Sequence, residues 1–188
     1  MTNRPTEPRV PLVTEPSAEV RDILAGALTH EGRPLNIFGA LAHNPRVLKR
    51  FNLMGGGLLA KGVLPPRERE LVILRVGWNA RAVYEFGQHT VIGRQAGLTD
   101  EEIAAVCGVG DHDWSPGDHL LLTMADELCA DDCVGDDTFA ALAERWNEAE
   151  LVELVVCAGF YRLVSGFLNS FGVPLDAGVP GWPEGAQP

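Results

Sequence analysis

The chain has 188 residues, of which 46% are hydrophobic, and this is enough for one globular domain with its own core. Its formal net charge of −11 argues against nucleic acid and acidic membranes as partners, because both require basic surfaces. The first residues lack an apolar signal core, and no run approaches the roughly 20 apolar residues of a membrane span. We therefore expect a cytoplasmic protein.

Proline and glycine mark the two ends of the chain. Residues 1–16 are rich in proline and predict an extended arm, and residues 174–188 predict a similar tail. Trp182 is the one large aromatic residue in that tail, so we expect it to pack onto the body or onto a partner chain. Residues 17–173 are predicted to form a single helical domain.

Helix signals dominate between the two ends. Ser17 is a candidate N-cap, Thr99 and Glu102 have the spacing of a capping box, and Asn147 is placed to cap a long final helix. Strand signals are scarce, with no Asn-Gly hairpin turn and no sustained alternation. The pattern predicts an all-α fold of about eight or nine helices.

The polar residues near the chain centre are candidates for chemistry. Glu85 and His89 are four positions apart on a predicted helix of about residues 80–96, so they share a face. If the chain reverses at an interruption over residues 77–80, Glu70 folds back toward this pair. A carboxylate beside an imidazole fixes the tautomer and raises the basicity of the ring, which suits proton transfer. The same spacing also fits an ordinary solvated contact.

Two cysteines, Cys129 and Cys133, lie one helical turn apart. They are either a metal or redox pair or two incidental thiols near a helix end. The second interpretation is favoured, because redox pairs usually have two intervening residues and zinc sites need further ligands.

Three segments together resemble a known family. Residues 68–77 (ERELVILRVG), 84–89 (YEFGQH) and 96–103 (AGLTDEEI) are similar to the core of the carboxymuconolactone decarboxylase and alkylhydroperoxidase D superfamily. The resemblance covers roughly residues 35–175. It implies an alkylhydroperoxidase D-like helical bundle that assembles into trimers or hexamers.

The peroxidase branch of this superfamily carries Glu, then Cys-x-x-Cys, then His. On this chain the Glu and the His correspond to Glu70 and His89, whereas the two cysteine positions hold Ala82 and Glu85. Thiol-based peroxide reduction needs a reactive thiolate and a resolving partner. The resemblance therefore implies a site without peroxidase chemistry.

The remaining residues resemble the decarboxylase type. That type implies a lyase or isomerase that needs no cofactor or metal and acts on a small carboxylated substrate, possibly a lactone or another cyclic compound. His89 is predicted to be the general acid/base, Glu85 to orient it, and Glu70 either to be a second acid/base or to position a water molecule. The candidate substrate contacts are Trp78, Tyr84, Tyr161 and Asn169.

Three alternatives remain open. Glu70, Glu85 and His89 also form a plausible ligand set for a divalent metal. In the second alternative, the chain is a non-catalytic oligomeric binding protein that retained the fold. A thiol peroxidase that uses Cys129 and Cys133 requires both cysteines to lie beside His89.

Overall fold

The computed structural model describes residues 3–30 and 32–187. Over these residues the chain forms nine α-helices and one short antiparallel hairpin. The helices are α1 (Ala18–Leu24), α2 (Asn36–Leu41), α3 (Pro45–Lys61), α4 (Pro66–Asn79), α5 (Val83–Gln95), α6 (Asp100–Val106), α7 (Pro116–Asp131), α8 (Asp136–Ala143) and α9 (Glu148–Phe171). The hairpin pairs β1 (Thr29–His30) with β2 (Arg33–Pro34). The all-α prediction is confirmed.

The predicted helix caps are present. The Ser17 side chain accepts a hydrogen bond from the backbone N–H of Val20 at the start of α1. Thr99 and Glu102 form a reciprocal capping box at α6, and the Asn147 side chain accepts from two backbone N–H groups at the start of α9. Each cap satisfies N–H groups that the first helical turn leaves without partners.

The reversal between α4 and α5 lies later in the chain than predicted. Residues 77–79 belong to α4, and the turn occupies residues 80–82, where Arg81 adopts a left-handed φ of 50°. Gly77 was expected to interrupt the helix, but it is placed where α4 packs on α5. A Cβ at Gly77 would lie 3.5 Å from the backbone nitrogen of Phe86, which is ordinary van der Waals contact, so the two helices pack closely at this position.

The described chain forms two compact units, one of residues up to 62 together with 167–178, and one of residues 63–166 together with 179 onward. The domain bounds expected from the sequence, 1–16, 17–173 and 174–188, stay a prediction.

The first unit holds the N-terminal segment in place. Residues 3–16 have no helix or strand, but the backbone of Arg9 donates to Phe171 O at 2.8 Å and that of Val13 donates to Gly39 O at 3.1 Å. Gly172 has a φ of +63°, and a Cβ there would lie 2.5 Å from Glu7 O. Only glycine fits this contact without displacing the segment.

The second unit is built around α4. Eight of its fourteen residues are buried, and it packs against α5 on one side and α7 on another. Arg75 fixes this arrangement, because its guanidinium binds Asp126 on α7 and donates to the Val106 carbonyl at the end of α6. The central position of α4 carries two of its charged residues, Arg69 and Glu70, into the interior.

One helix of the described part, α9, is long and apolar enough by length and composition to cross a membrane. Core helices of soluble proteins have the same properties, and one face of α9 is buried in the protein. Its buried residues are Leu151, Leu154, Cys157, Ala158, Tyr161, Val164, Ser165 and Leu168.

Trp182, in the C-terminal segment, packs onto the α4–α5 pair. Its ring centroid lies 5.4 Å from that of Trp78 in an edge-to-face arrangement and 4.9 Å from that of Phe86. The alternative in which it packs onto the body of its own chain is the one observed.

Candidate functional site

The α4–α5 pair brings the three predicted catalytic side chains together. Nδ1 of His89 lies 2.5 Å from Oε2 of Glu70, and Nε2 lies 3.0 Å from Oε1 of Glu85. All three are buried, with exposed fractions of 5% for His89, 0% for Glu70 and 3% for Glu85. A carboxylate therefore faces each ring nitrogen, and the contacts are not those of a solvated surface pair.

A fourth charged residue, Arg69, completes the cluster. Its Nε donates to Oε1 of Glu70 at 2.9 Å, and the residue is only 6% exposed. The order Arg69, Glu70, His89, Glu85 alternates in sign when His89 is protonated. We call these four residues the charge cluster.

Sequence reasoning missed Arg69. It lies in the run Arg67–Glu70, which has the composition of a solvated first helical turn. Arg69 is adjacent to Glu70 in sequence, but the side chains of adjacent residues on a helix normally point to different sides, so no contact was expected. Arg69 is buried because the first turns of α4 lie between other helices. That burial is a property of the tertiary structure and is not visible in the local sequence.

The cluster shifts the protonation of its members. Burial alone would lower the pKa of His89, but the charges of Glu70 and Glu85 outweigh it and raise that pKa to about 10. Burial alone would raise the pKa of Glu70, but His89 and Arg69 together hold it below its ordinary value. At neutral pH the site therefore holds an imidazolium bound to the Glu70 carboxylate.

Helix α9 contributes two uncharged groups. The Tyr161 ring lies edge-on to His89 with centroids 4.8 Å apart. Burial, followed by the charge of Glu85, raises the pKa of Tyr161, so the phenol keeps its proton. Burial likewise raises the pKa of the Cys157 thiol, which also lies within the fields of Glu70 and Arg69. Neither residue adds charge to the cluster at neutral pH.

The predicted substrate contacts have different placements. Tyr161 reaches His89, whereas the Trp78 ring packs on Trp182 and Tyr84 is buried on α5. Asn169 belongs to the other compact unit. A role in substrate binding stays a prediction for all four.

The metal alternative requires a free lone pair on His89. Nδ1 bonds Oε2 of Glu70 at 2.5 Å, whereas Nε2 lies 3.0 Å from Oε1 of Glu85, a buried oxygen that makes no hydrogen bond of good geometry. Among residues 3–30 and 32–187, no group of three or more His, Cys, Asp or Glu side chains has an arrangement that would hold a metal ion. Metal binding at Glu70, Glu85 and His89 stays a prediction.

Cys129 and Cys133 are free thiols in a different environment. Cys129 lies near Asn79 and Arg162, and burial raises its pKa. Cys133 is exposed, and its thiol donates to the Val134 carbonyl. A raised pKa at Cys129 is the opposite of what a peroxidatic thiol needs.

A family model matches the segment that contains the charge cluster. Residues 45–112 match the model of the Carboxymuconolactone decarboxylase family, and this segment contains all four residues of the charge cluster. No curated protein matches the chain in sequence at a significant level.

Solved structures share the fold over nearly the whole chain. An uncharacterized peroxidase-related protein from Ralstonia eutropha JMP134, described as an alkylhydroperoxidase AhpD core, is 22% identical with a TM-score of 0.77, and the match covers 93% of this chain and 95% of that one. A peroxidase-related protein from Silicibacter sp. TM1040 is 16% identical with a TM-score of 0.79, covering 97% and 98%. Part of the chain, residues 45–112, is therefore similar to the carboxymuconolactone decarboxylase family, and the chain shares the fold of these alkylhydroperoxidase D-like structures.

A third similar structure is that of a debrominase. A variant of the debrominase Bmp8, in complex with 2,3,4-tribromopyrrole, is 14% identical with a TM-score of 0.71, covering 91% of this chain and 95% of that one. At this identity the likeness establishes the fold alone, and the activity of this chain has to be argued from its own site.

Proposed function

We propose that this protein is a cofactor-independent acid/base lyase, of the decarboxylase type, or an isomerase, and that it acts on a small carboxylated substrate. The observation that carries the proposal is the buried His89 ring with a carboxylate at each nitrogen and Tyr161 at its edge. The family match supports a lactone or another cyclic acid as the substrate class.

His89 acts as the general acid in this proposal. With a pKa of about 10 it carries a proton at neutral pH, so it is ready to donate one to a carbon that gains an electron pair. Its positive charge also stabilises the negative charge that develops on the substrate in a site shielded from water.

The contacts favour roles for the two glutamates that are the reverse of those predicted from the sequence. Glu70 is fully buried and held by Arg69, so it is suited to orient His89 through Nδ1. Glu85 lies at the opposite nitrogen, Nε2, and is better placed to exchange protons with the substrate. We therefore assign orientation to Glu70 and proton exchange to Glu85 with His89.

The proton balance of each reaction is simple. In a decarboxylation, the C–C bond electrons stay on carbon as CO2 leaves, and Nε2 of His89 delivers a proton to that carbon. The ring then regains a proton from solvent, with Glu85 as the nearest relay. In an isomerisation, Glu85 removes a proton from one carbon, and His89 delivers one to another, so no net proton is consumed.

The test is a screen of carboxylated lactones and cyclic keto acids for CO2 release and for deuterium uptake from D2O. His89→Gln and Glu85→Gln are each expected to lower kcat/KM by at least about 100-fold, as is usual when a general acid or base is lost. His112→Gln, a partly exposed histidine outside the cluster, is the matched control. Undiminished turnover in His89→Gln would overturn the proposal.

The same burial also supports one alternative from a different class. Because the charge cluster is almost fully enclosed, it would serve a non-catalytic oligomeric binding protein as a structural network. In that case the wild-type protein produces neither CO2 nor deuterated product from any compound of the screen, and His89→Gln lowers only stability.

We further propose a cytoplasmic homo-oligomer, a trimer or hexamer, with α9 at the interface. In the second unit this helix exposes Val152, Val156 and Leu163, which are 65%, 40% and 60% exposed. Their spacings of four and seven place them on one helical face. An exposed apolar stripe of this kind commonly marks a contact between subunits.

Light scattering coupled to gel filtration tests the assembly. Leu163→Glu is expected to reduce the mass to that of a smaller species, whereas Phe139→Glu, which changes an exposed apolar residue on α8, is expected to leave it unchanged. A monomeric wild-type chain would contradict the assembly without affecting the catalytic proposal.

A further inference from the structure

We infer that Arg69 is a positioning residue that fixes the resting charge of the site. It holds Glu70 as a carboxylate on one side of His89. Proton exchange between His89 and the substrate is therefore confined to the side of the ring that faces Glu85. The inference rests on the proposed function for its catalytic meaning, but its structural content stands on the geometry of the cluster. Neither the family match nor the similar structures assign a role to this residue.

The two oxygens of Glu70 have separate partners. Oε1 accepts from Nε of Arg69 at 2.9 Å, and Oε2 faces Nδ1 of His89 at 2.5 Å. Because one oxygen is committed to each cation, the carboxyl plane and the His89 ring are fixed relative to each other. Rotation of Glu70 away from His89 would break a hydrogen bond to a buried guanidinium, which is costly.

The charges facing His89 balance within the buried cluster. Helix α4 supplies Arg69 and Glu70, and α5 supplies Glu85. Helix α9 supplies the uncharged Cys157 and Tyr161. It also carries Glu153, whose charge acts on Cys157 and whose carboxylate accepts from the backbone N–H groups of Val63 and Leu64. With His89 protonated, two positive and two negative charges are present.

Other charged residues around α4 are engaged elsewhere. Arg67 binds Glu102 and Asp118, and Arg75 binds Asp126. These pairs lie at the α6 and α7 sides of the helix and are partly exposed. Arg69 is therefore the cation that balances the second carboxylate of the cluster within the described residues.

Loss of the Arg69 charge leaves one surplus negative charge in the interior. A buried site relieves such a surplus by binding a proton. With His89 already protonated, that proton must go to a carboxyl group of Glu70 or Glu85. Protonated Glu70 holds His89 less firmly, and protonated Glu85 no longer accepts a proton from the substrate.

The experiment counts protons in the resting full-length protein. Infrared spectra with 13C-labelled glutamate, recorded at pH 7, distinguish a protonated carboxyl group from a carboxylate. Ring 15N NMR of His89 reports its two nitrogens. Arg69→Gln is expected to show a protonated glutamate band that wild type lacks and a shifted Nδ1 resonance. Arg67→Gln, two residues earlier on the same helix, is the control and is expected to match wild type.

Arg69→Lys keeps the positive charge at this position but removes the guanidinium. It therefore separates the effect of the charge from that of the hydrogen bond to Glu70. It is expected to lack the protonated band, as wild type does, but to show a shifted Nδ1 resonance, because an ammonium does not reproduce the Nε contact. An Arg69→Gln protein with the wild-type band pattern and Nδ1 resonance overturns the inference. So does an Arg69→Lys protein that acquires the protonated band.

This experiment can fail or succeed independently of the activity screen that tests the proposed function, because neither spectrum requires a substrate. Where a turnover assay is in hand, Arg69→Gln is expected to lower kcat by at least about tenfold with little change in KM, because the proton-transfer step is affected. An equal loss confined to KM would contradict a role in positioning the proton relay.

Discussion

Oε2 of Glu70 and Nδ1 of His89 lie 2.5 Å apart, although the residues are 19 positions apart and lie on different helices. The contact joins α4 to α5 inside the protein, where both side chains are nearly inaccessible to water. A charged hydrogen bond in such a place both fixes the imidazole and links the stability of the fold to its protonation.

Replacement of Glu70 tests this link directly. Glu70→Gln removes one charge from a buried pair and leaves Arg69 and His89 as neighbouring cations. We expect the free energy of unfolding to fall by about 3–5 kcal/mol and the pKa of His89 to fall as well. Urea denaturation and NMR titration measure the two effects. Glu144→Gln, at an exposed position, is expected to change neither, and similar losses in both variants would contradict the prediction.

The pH dependence of stability follows from the raised pKa of His89. The histidine binds a proton more tightly in the folded chain than in the unfolded one, so its contribution is complete below about pH 6.5 and disappears as the pH rises toward 10. We expect a loss on the order of 4 kcal/mol across this range. Glu70, whose pKa is lowered, acts in the opposite sense: its contribution is complete above about pH 4.5 and is lost as the pH falls through its lowered folded-state pKa.

Thermal or urea unfolding between pH 6 and pH 10 measures the histidine contribution. His89→Gln has no titrating group at this position, so the difference between its stability and that of wild type should shrink as the pH rises. A difference that is constant over the range would show that the folded protein does not bind this proton more tightly.

Gly172 is predicted to control how the N-terminal segment is attached. Alanine there meets the Glu7 carbonyl at 2.5 Å and keeps a left-handed φ, so we expect a loss of about 2 kcal/mol. Gly178→Ala is the matched control, because Gly178 has a φ of +78° but no neighbour within 4 Å of the added Cβ. Hydrogen exchange should increase over residues 5–9 in Gly172→Ala alone. Equal exchange in the two variants would assign the whole effect to the backbone angle.

The cysteines are predicted to react in order of exposure. A coloured aromatic disulfide should label Cys133 first, because it is exposed, and Cys129 more slowly. Cys107 and Cys157 are buried, and burial raises the pKa of each thiol, so both should react only on unfolding. The fast phase should vanish in Cys133→Ser. Rapid labelling of Cys157 in the folded protein would instead indicate a reactive thiol beside the charge cluster.

The fold, and the meeting of the three residues predicted to be catalytic, were accessible from the sequence because they depend on local spacing and on a family motif. The four-residue step from Glu85 to His89 places both on one face of any α-helix. The return of Glu70 required only a reversal between two helices. The bounds of that reversal were less predictable, because the packing of Gly77 against Phe86 allows α4 to continue to Asn79.

The role of Arg69 was not accessible, because local pattern does not reveal which charged residue of a run becomes buried. Arg67 and Arg69 are the same residue type two positions apart, yet the Arg67 side chain is 32% exposed and that of Arg69 only 8%. The difference arises from the helices that surround α4, and these come from distant parts of the chain.

The short span of the charge cluster has a consequence for folding order. Its four members lie within residues 69–89, so a single helical hairpin brings all of them together and the chain entropy lost on closing that loop is small. Tyr161, on α9, follows His89 by more than 70 residues and must reach it through a much longer loop closure. We expect the charged side chains to meet early in folding and α9 to exclude water from them afterwards. If α9 docks slowly, the α4–α5 hairpin remains hydrated and fluctuating for a time. That hairpin would then be the species most exposed to degradation.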